Sequence, residues 1–593
     1  MSSNGKEEQT KMLQALGSNT KTNIAYVMFG GCCFLIAGAF IVARMERIEF
    51  DDSYAYCATV YYSPKTGYRI EYWGQRNDFE RISTGCARAC FKDRRTANGL
   101  SFLEIETQSG YKDQHQAFSA GILEGSMTWM NIYAQWVNTI QSFCGKNEEN
   151  QQFCDWLRDI VSTNYKNVLK LAKEKDRNDY YHHQVFLFYH QLLGVEIGFK
   201  KGVKRARRDF EIPFIDFLLL NSRVDIEDLK IYYNEFVADH EIDQMEIRPR
   251  LGKMLLRVLL EDESHPETLF GHTSGGDYSA MLKIVKTYRF NYHHGPEAGS
   301  HLVTNTDITF TSYPGAIASS DDFYIAMGKH TRVIVSGVTL KHHKSAQLLH
   351  GVDLEGTIFS SARVMAANRL SHNGKFWSRV MTRDPDVGAK QWLVVDEKRM
   401  KFLSVDSADK NEAVTSSTTT EELTFDNEVP TDPLTPLDLL KSTPSSSNRN
   451  LVWLIDQTWR RLHAEDVTIK FRNDGSSWVL DGTPYFKVIQ ELNGLQPRPA
   501  KVNRNISSLH DISQYLKEKS YRGDLLAEPT TYGNVDLKLY TSDNQELTVQ
   551  NGPVNTNLTP PFDWNAGNFK EMRHDDHPSL WNFAPTLVEF LWD

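Results

Sequence analysis

The chain has 593 residues, 40% hydrophobic and 24% charged, with a formal net charge of −10. That balance is ordinary for a globular protein, leaves ample chain for a core, and excludes the basic face that a nucleic-acid partner requires. Seven cysteines are too few for a disulfide scaffold, and without a long linker the chain reads as one large domain or two intimate halves.

Residues 1–21 form a polar tail with Lys6, Lys11 and Lys21. Thr22 to Ala43 then carries no charge, and its core from Ile24 to Val42 would span roughly 28 Å as a helix, about the hydrocarbon thickness of a bilayer. Two readings fit: a retained signal anchor, or a signal peptide cut after Ala37-Gly38-Ala39. The long polar lead and full spanning length favour the anchor. Lys11 and Lys21 on one side balance Arg44 and Arg47 on the other, so flanking charge does not orient it. Cys32 and Cys33 lie inside the apolar run, where packing is the commoner role.

Beyond residue 50 the first half reads as helical. Phe118, Ile122, Trp129, Ile132, Trp136 and Ile140 mark one apolar face, Phe153, Trp156, Leu157, Ile160 and Val168 the next, and Val185 to Ile197 a third. Between the first two, Cys144 and Cys154 bracket a polar loop. Cys57, Cys86 and Cys90 leave an odd thiol with no assignable partner. No CxxC pair or HExxH occurs, so neither metal nor cofactor is expected. The pairs His182-His183, His293-His294 and His342-His343 are expected on the surface, since neighbours on a strand face opposite ways. The basic run at 200–209 reads as a solvated linker, and within it Arg205-Ala206-Arg207-Arg208 offers paired-basic cleavage after Arg208.

The centre of the chain is GHTSGGDYSAMLKI (271–284) followed by TSYPGAIASSDDFYIAMG (311–328). Gly275-Gly276 should make a turn feeding a helix marked by Tyr278, Met281, Leu282 and Val285. Ile308 and Phe310 lead into a strand, Pro314-Gly315 makes the bend, and Phe323-Tyr324-Ile325 leads out. Strands continue at Val333 to Leu340 and Trp392 to Val395. Residues 407–449, rich in Ser, Thr and Pro, read as a flexible insertion. Asn505 and Asn557 open glycosylation sequons.

SYPG and DDFY, with YSxMLKIxKxYxF before them, resemble the phospholipase B-like family. The likeness extends from SFLEIET (101–107), QAFSAGILEG (116–125) and QWVNTIQSFCG (135–145) through ANRL (367–370) and QWLVVD (391–396) to PPFDWN (560–565) and LWNFAP (580–585). It implies an α+β N-terminal-nucleophile (Ntn) hydrolase fold, a four-layer αββα sandwich, here with added N-terminal helices after the anchor and one luminal or extracellular domain over 50–593. It also implies a Cys144–Cys154 disulfide, a secretory-pathway or lysosomal setting, and hydrolysis of acyl bonds in phospholipids.

In that family a cysteine freed by self-cleavage is the nucleophile, and its own α-amino group is the base. The cysteine opens a strand that corresponds here to Gly252-Lys253-Met254-Leu255-Leu256-Arg257-Val258-Leu259, so its position falls at or next to Gly252. No cysteine follows Cys154, and no Ser or Thr lies between Gln244 and Asp262. Ser264 and Thr268 are the nearest hydroxyls, in the turn after the strand. His272 stands where the family histidine stands, but Thr273-Ser274-Gly275 replaces the Asn/Asp-Thr-Trp that follows it. Ala389-Lys390 replaces the asparagine pair before Gln391-Trp392, and with it a donor for oxyanion stabilisation. Asp321-Asp322 is expected to cap or face solvent. A family scaffold without its nucleophile is the pattern of a pseudoenzyme, with His272, Thr273, Ser274 and Lys390 lining a remnant pocket for a lipid, an acylated ligand or a partner. The alternative is an active hydrolase that uses Ser264 or a water.

Overall fold

The computed structural model describes residues 55–75, 81–238, 251–260, 266–341, 351–383, 387–403, 422–426, 449–493, 500–502, 504–556 and 558–589. Contacts divide the chain into Met1–Tyr54 and Ala55–Asp593, and every described residue belongs to the second unit. The run 22–43, His342-His343, Ser264, Asn557 and nearly all of the insertion at 407–449 lie outside the described residues, apart from a strand at Glu422–Asp426. Among the described residues no helix is long and apolar enough to cross a membrane.

Two large sheets organise the unit. Twelve strands make the first, and its central run is antiparallel: Lys283–Arg289, Asp307–Ser312, Phe323–Met327, Arg332–Thr339, Lys390–Asp396 and Val452–Thr458 in spatial order. Leu100–Thr107 joins that run in parallel beside Lys283–Arg289 and leads to the N-terminal strands. The second sheet has six strands, with Lys253–Leu259, Glu267–Thr273 and Asp536–Thr541 adjacent and antiparallel.

Side chains alternate along those three strands and separate two environments. Met254, Leu256, Val258, Phe270 and Tyr540 join the main core together with Val335 and Val338 of the large sheet. Leu255, Leu259, Leu269, Leu537 and Leu539 instead pack on Ile512 and Leu516 of the helix Leu509–Glu518. The small sheet therefore lies between the large sheet and a helix. Helices Asp113–Met127, Glu148–Lys175, Tyr180–Arg205 and Ser360–Leu370 bury their apolar residues in the main core.

The helical expectation for the first half holds from Asp113 onward, where Asn147 and Asp179 cap the two longest helices with their side chains. Before it, residues 56–107 form four strands. Helices Asp113–Met127 and Tyr180–Arg205 meet backbone to backbone: a Cβ on Gly121, Gly125, Gly194 or Gly198 would run into the facing main chain. That approach explains the glycines in QAFSAGILEG.

Two local expectations are corrected. Residues 271–289 do not turn into a helix. Glu267–Thr273 is a strand, Tyr278–Ala280 a single 3-10 turn, and Lys283–Arg289 a central strand. Tyr278 stays in the 3-10 turn, Met281 and Leu282 link it to the strand, and only Val285 lies in the strand, which is buried on both faces and so shows no period of two. The basic run is not a linker throughout, because the last helix turn extends to Arg205. Arg205 stacks on Tyr72 at 3.7 Å and donates to the Tyr56 hydroxyl at 3.1 Å, while Lys204 to Asp209 are exposed.

Cys144 and Cys154 form a disulfide, and so do Cys57 and Cys90, which face each other on adjacent strands. Cys86 is the odd thiol, buried, with burial pushing it up to about 11. Such a thiol is inert at neutral pH.

A candidate site between the two sheets

The same alternation that sends Leu255 toward the helix sends position 252 toward the large sheet. A Cβ on Gly252 would stand 2.7 Å from Val338 Cγ1 and 3.0 Å from Val338 Cβ. Val338, β-branched and on a central strand, thus occupies the room that a side chain at 252 would need. Gly275 is similar, since a Cβ there would lie 2.5 Å from Leu251 Cβ. Leu251 fills the space where an aromatic wall would begin.

His272 pairs with Met254 across the strands and faces the same seam. Its Nε2 lies 3.0 Å from the Gly337 carbonyl oxygen, which can only accept, so Nε2 carries the proton. Nδ1 is then a bare acceptor, 3.1 Å from Lys538 Nζ. Burial and then the Lys538 ammonium push the imidazole down to about 3, so the ring is neutral. Both nitrogens are used, one on each sheet.

Around it lies a closed ring of charge. Lys283 donates to Asp321 at 2.5 Å and to Asp536, and Lys538 donates to Asp536 at 2.5 Å and to Ser274 Oγ at 3.2 Å. Ser274 in turn donates to Asp321 at 3.2 Å, and the Tyr313 hydroxyl donates to Asp321 at 2.8 Å. The two lysines and two aspartates balance, and all four side chains are essentially without exposure. Burial opposes ionisation of Asp321, but Lys283 and Lys538 outweigh it and hold the carboxyl far below the usual range. Asp536 is lowered by the same two lysines against the same burial. Burial likewise opposes the charge on Lys283, and Asp321 and Asp536 raise it well above a normal lysine. On Lys538 burial wins, and the ammonium is lowered.

Asp321-Asp322 is therefore neither exposed nor a cap, since both side chains are buried. Asp322 adopts φ +58°, which turns its carboxylate onto Lys390 Nζ at 2.5 Å. Lys390 is thus committed to an ion pair across two strands. The structure brings His272, Ser274, Asp321 and Asp536 together around Lys283 and Lys538, and places Lys390 beside them on Asp322. Thr273 is buried, with no hydrogen-bond partner for its hydroxyl among the described residues.

Sequence reasoning missed Lys283, Asp536 and Lys538. The one available signal was a pair of lysines, Lys283 and Lys286, inside an otherwise apolar stretch. Both are fully buried, and Lys286 bonds Glu124 at 2.7 Å.

The histidine pairs are also corrected. His182 and His183 lie on a helix rather than a strand and are both buried, as is His294, while His293 is partly exposed. Adjacent helical residues diverge by about 100°, so both can enter a core approached from two sides. Among the described residues no group of His, Cys, Asp and Glu is placed to hold a metal. Asn505 is exposed, and Arg208 lies in the exposed turn after Arg205.

The two terminal motifs return to this region. Phe562 pairs with Trp581 between short strands, and both pack with Trp564, Met281 and Tyr278. Tyr278 donates to Asp524 at 3.0 Å.

Comparison with known proteins gives the family. The family model described as Phospholipase B matches residues 87–507 and 503–588. A Drosophila melanogaster protein named putative phospholipase B-like lamina ancestor is 40% identical over 575 residues, covering 92% of this chain and 84% of its own. The Homo sapiens putative phospholipase B-like 2 is 27% identical, covering 84% of each chain. Phospholipase B-like protein B of Dictyostelium discoideum is 26% identical, covering 90% of this chain and 88% of its own. Matched by the family model from residue 87 to residue 588, and 40% identical over 92% of its length to the Drosophila melanogaster protein, this chain belongs to the phospholipase B family.

Proposed function

We propose that this is a phospholipase B-like protein of Ntn-hydrolase type that has lost acyl hydrolysis and binds a lipid, an acylated ligand or a protein partner. The observation that carries the reading is Gly252: it faces the seam where a nucleophile would act, has no attacking atom, and its side-chain room is taken by Val338. His272 supports it, because both of its nitrogens are engaged and its ring stays neutral. Lys390, where an oxyanion donor is expected, is held by Asp322. A helix, a six-stranded sheet, a twelve-stranded sheet and a helical layer are consistent with an αββα sandwich.

The setting we propose is the secretory route, with residues 22–43 as a retained signal anchor or a cleaved signal peptide and residues 50–593 on the luminal or extracellular side. Two disulfides and the exposed sequon at Asn505 support it.

A second reading, an active hydrolase with a different nucleophile, is favoured by one contact: Ser274 Oγ lies 3.2 Å from Lys538 Nζ. A lysine that activates serine must accept a proton. Lys538 instead donates to Asp536, Ser274 and His272, which uses all three of its hydrogens.

Treatment of the purified protein with serine- and cysteine-directed acylating probes, followed by peptide mapping, separates the readings. The binding reading predicts no site-specific label across residues 240–280 and a melting temperature raised by phospholipid vesicles. A label on Ser264 or Ser274 would establish the hydrolase. No label and no lipid shift would leave a structural ectodomain.

A further inference from the structure

His183 lies 2% exposed near the start of the helix Tyr180–Arg205, and each of its ring nitrogens meets a carboxylate. Nδ1 is 2.7 Å from Asp176 Oδ1 and Nε2 is 3.1 Å from Asp113 Oδ2. Ionised carboxylates only accept, so two such contacts require both nitrogens to carry hydrogen. Asp113 is held ionised by its other donors. His293 N bonds its Oδ2 at 2.7 Å, His293 Nδ1 its Oδ1 at 2.8 Å, and Gln116 Nε2 its Oδ1 at 3.3 Å.

These contacts tie four pieces of chain together. Asp113 opens the helix Asp113–Met127, and Asp176 follows the helix Glu148–Lys175. His293 belongs to a segment that doubles back through the pairing of His293 with Leu302 and the bond from Val303 N to Tyr292 O. Gln184, one residue after His183, donates to the His293 carbonyl at 2.8 Å.

We propose that His183 is a proton-dependent clamp: its imidazolium, held between Asp113 and Asp176, fastens segment 291–303 to the helical layer in acid and releases it as the pH rises. Without the second proton one ring nitrogen would present a lone pair to a carboxylate, and Asp113 would lose the buried counter-charge that offsets its desolvation.

The groups facing the clamp from each packed element are Asp113, Asp176, His293 and His294, with Arg369 and Tyr292 acting on Asp113 and His190 on Asp176. Beside it on its own helix His182 pairs with Asp179, which also takes Arg383 at 2.5 Å. Burial opposes the charge on His183, but Asp113 and Asp176 together raise the imidazole above its usual value. Asp113 is lowered, with burial outweighed by His183 and His293. A raised histidine contributes stability in full below its unfolded value, about 6.5, and loses it as pH climbs through the folded value. A lowered aspartate is lost only as pH falls below the usual carboxylate range. The clamp is therefore closed from mildly acid pH to near neutrality and opens on the alkaline side.

The test is hydrogen–deuterium exchange of the full-length protein in detergent from about pH 5.5 to about pH 8.5, corrected for intrinsic rates. Protection of peptides over 291–303 should fall by about tenfold or more across that range, while strand Lys390–Asp396 stays constant. Asp176→Asn, at a partly exposed carboxylate, should keep the fold and move the midpoint toward acid by about one pH unit. His183→Gln should leave 291–303 weakly protected at every pH. Protection that does not change with pH in the native protein, or a midpoint that Asp176→Asn leaves in place, would overturn the proposal.

Discussion

Two buried histidines hold this protein together in opposite charge states. His272, between the sheets, is neutral, with a lysine on one nitrogen and a backbone carbonyl on the other. His183, among the helices, has a carboxylate on each nitrogen and is a cation. Their burial is nearly the same, so burial does not decide the charge; the partners do. The seam is a ring of charge in which both nitrogens of His272 and all three hydrogens of Lys538 are already engaged, whereas the helical node depends on one exchangeable proton.

The most damaging way to break the seam is to remove one of its carboxylates. Asp536→Leu leaves Lys283 and Lys538 sharing Asp321 in a region without solvent, and should cost about 3–5 kcal/mol in denaturant unfolding. A loss under about 1 kcal/mol would mean that water reaches the ring.

Gly252→Cys restores the missing side chain and should cost about 1–3 kcal/mol, because the new Cβ meets Val338. Val338→Ala in the same chain should recover part of that loss. Full stability of Gly252→Cys alone would show that the seam has room to spare.

The pH dependence sharpens the contrast. His272, lowered to about 3, stays neutral while the unfolded chain takes up a proton below about pH 6.5, so it destabilises the fold progressively in acid, by about 2 kcal/mol at pH 5. His272→Gln should remove that slope, while His183→Gln should leave it in place below about pH 6.5 and instead abolish the loss of stability that the native protein shows as pH rises above that value, in unfolding free energies measured from about pH 5 to about pH 8.5. Smallest is Ser274→Ala, which deletes bonds to Asp321 and Lys538 and should cost about 1 kcal/mol.

The sequence displayed the helix Glu148–Lys175 plainly, because Trp156 and Leu157 lie on a face opposite a wet side; Asp113–Met127, buried almost all round, showed itself only through the spacing of Phe118 and Ile122. The strand and bend from Ile308 to Ile325 were equally legible through Pro314-Gly315. The vacancy at Gly252 could be read too, since it rests on residue identity alone. The ring around it could not. Asp536-Leu537-Lys538-Leu539 alternates like a strand with one face in water, but its polar face meets a second sheet that supplies the opposite charges. Compensation between residues more than 200 positions apart leaves no local mark. His182-His183 was misplaced for a related reason, because a strand rule was applied to a helix whose acidic partners come from other segments.

The central claim is that no nucleophile is unmasked in this chain. The intact mass and N-terminal sequence of every chain in the purified protein test it most directly. One uncut chain beyond any leader, or a cut only after Arg208, is the predicted result. A new N-terminus between Gln244 and Thr273 without added protease would mean that self-cleavage survives, and the residue at that terminus would be the nucleophile this account denies.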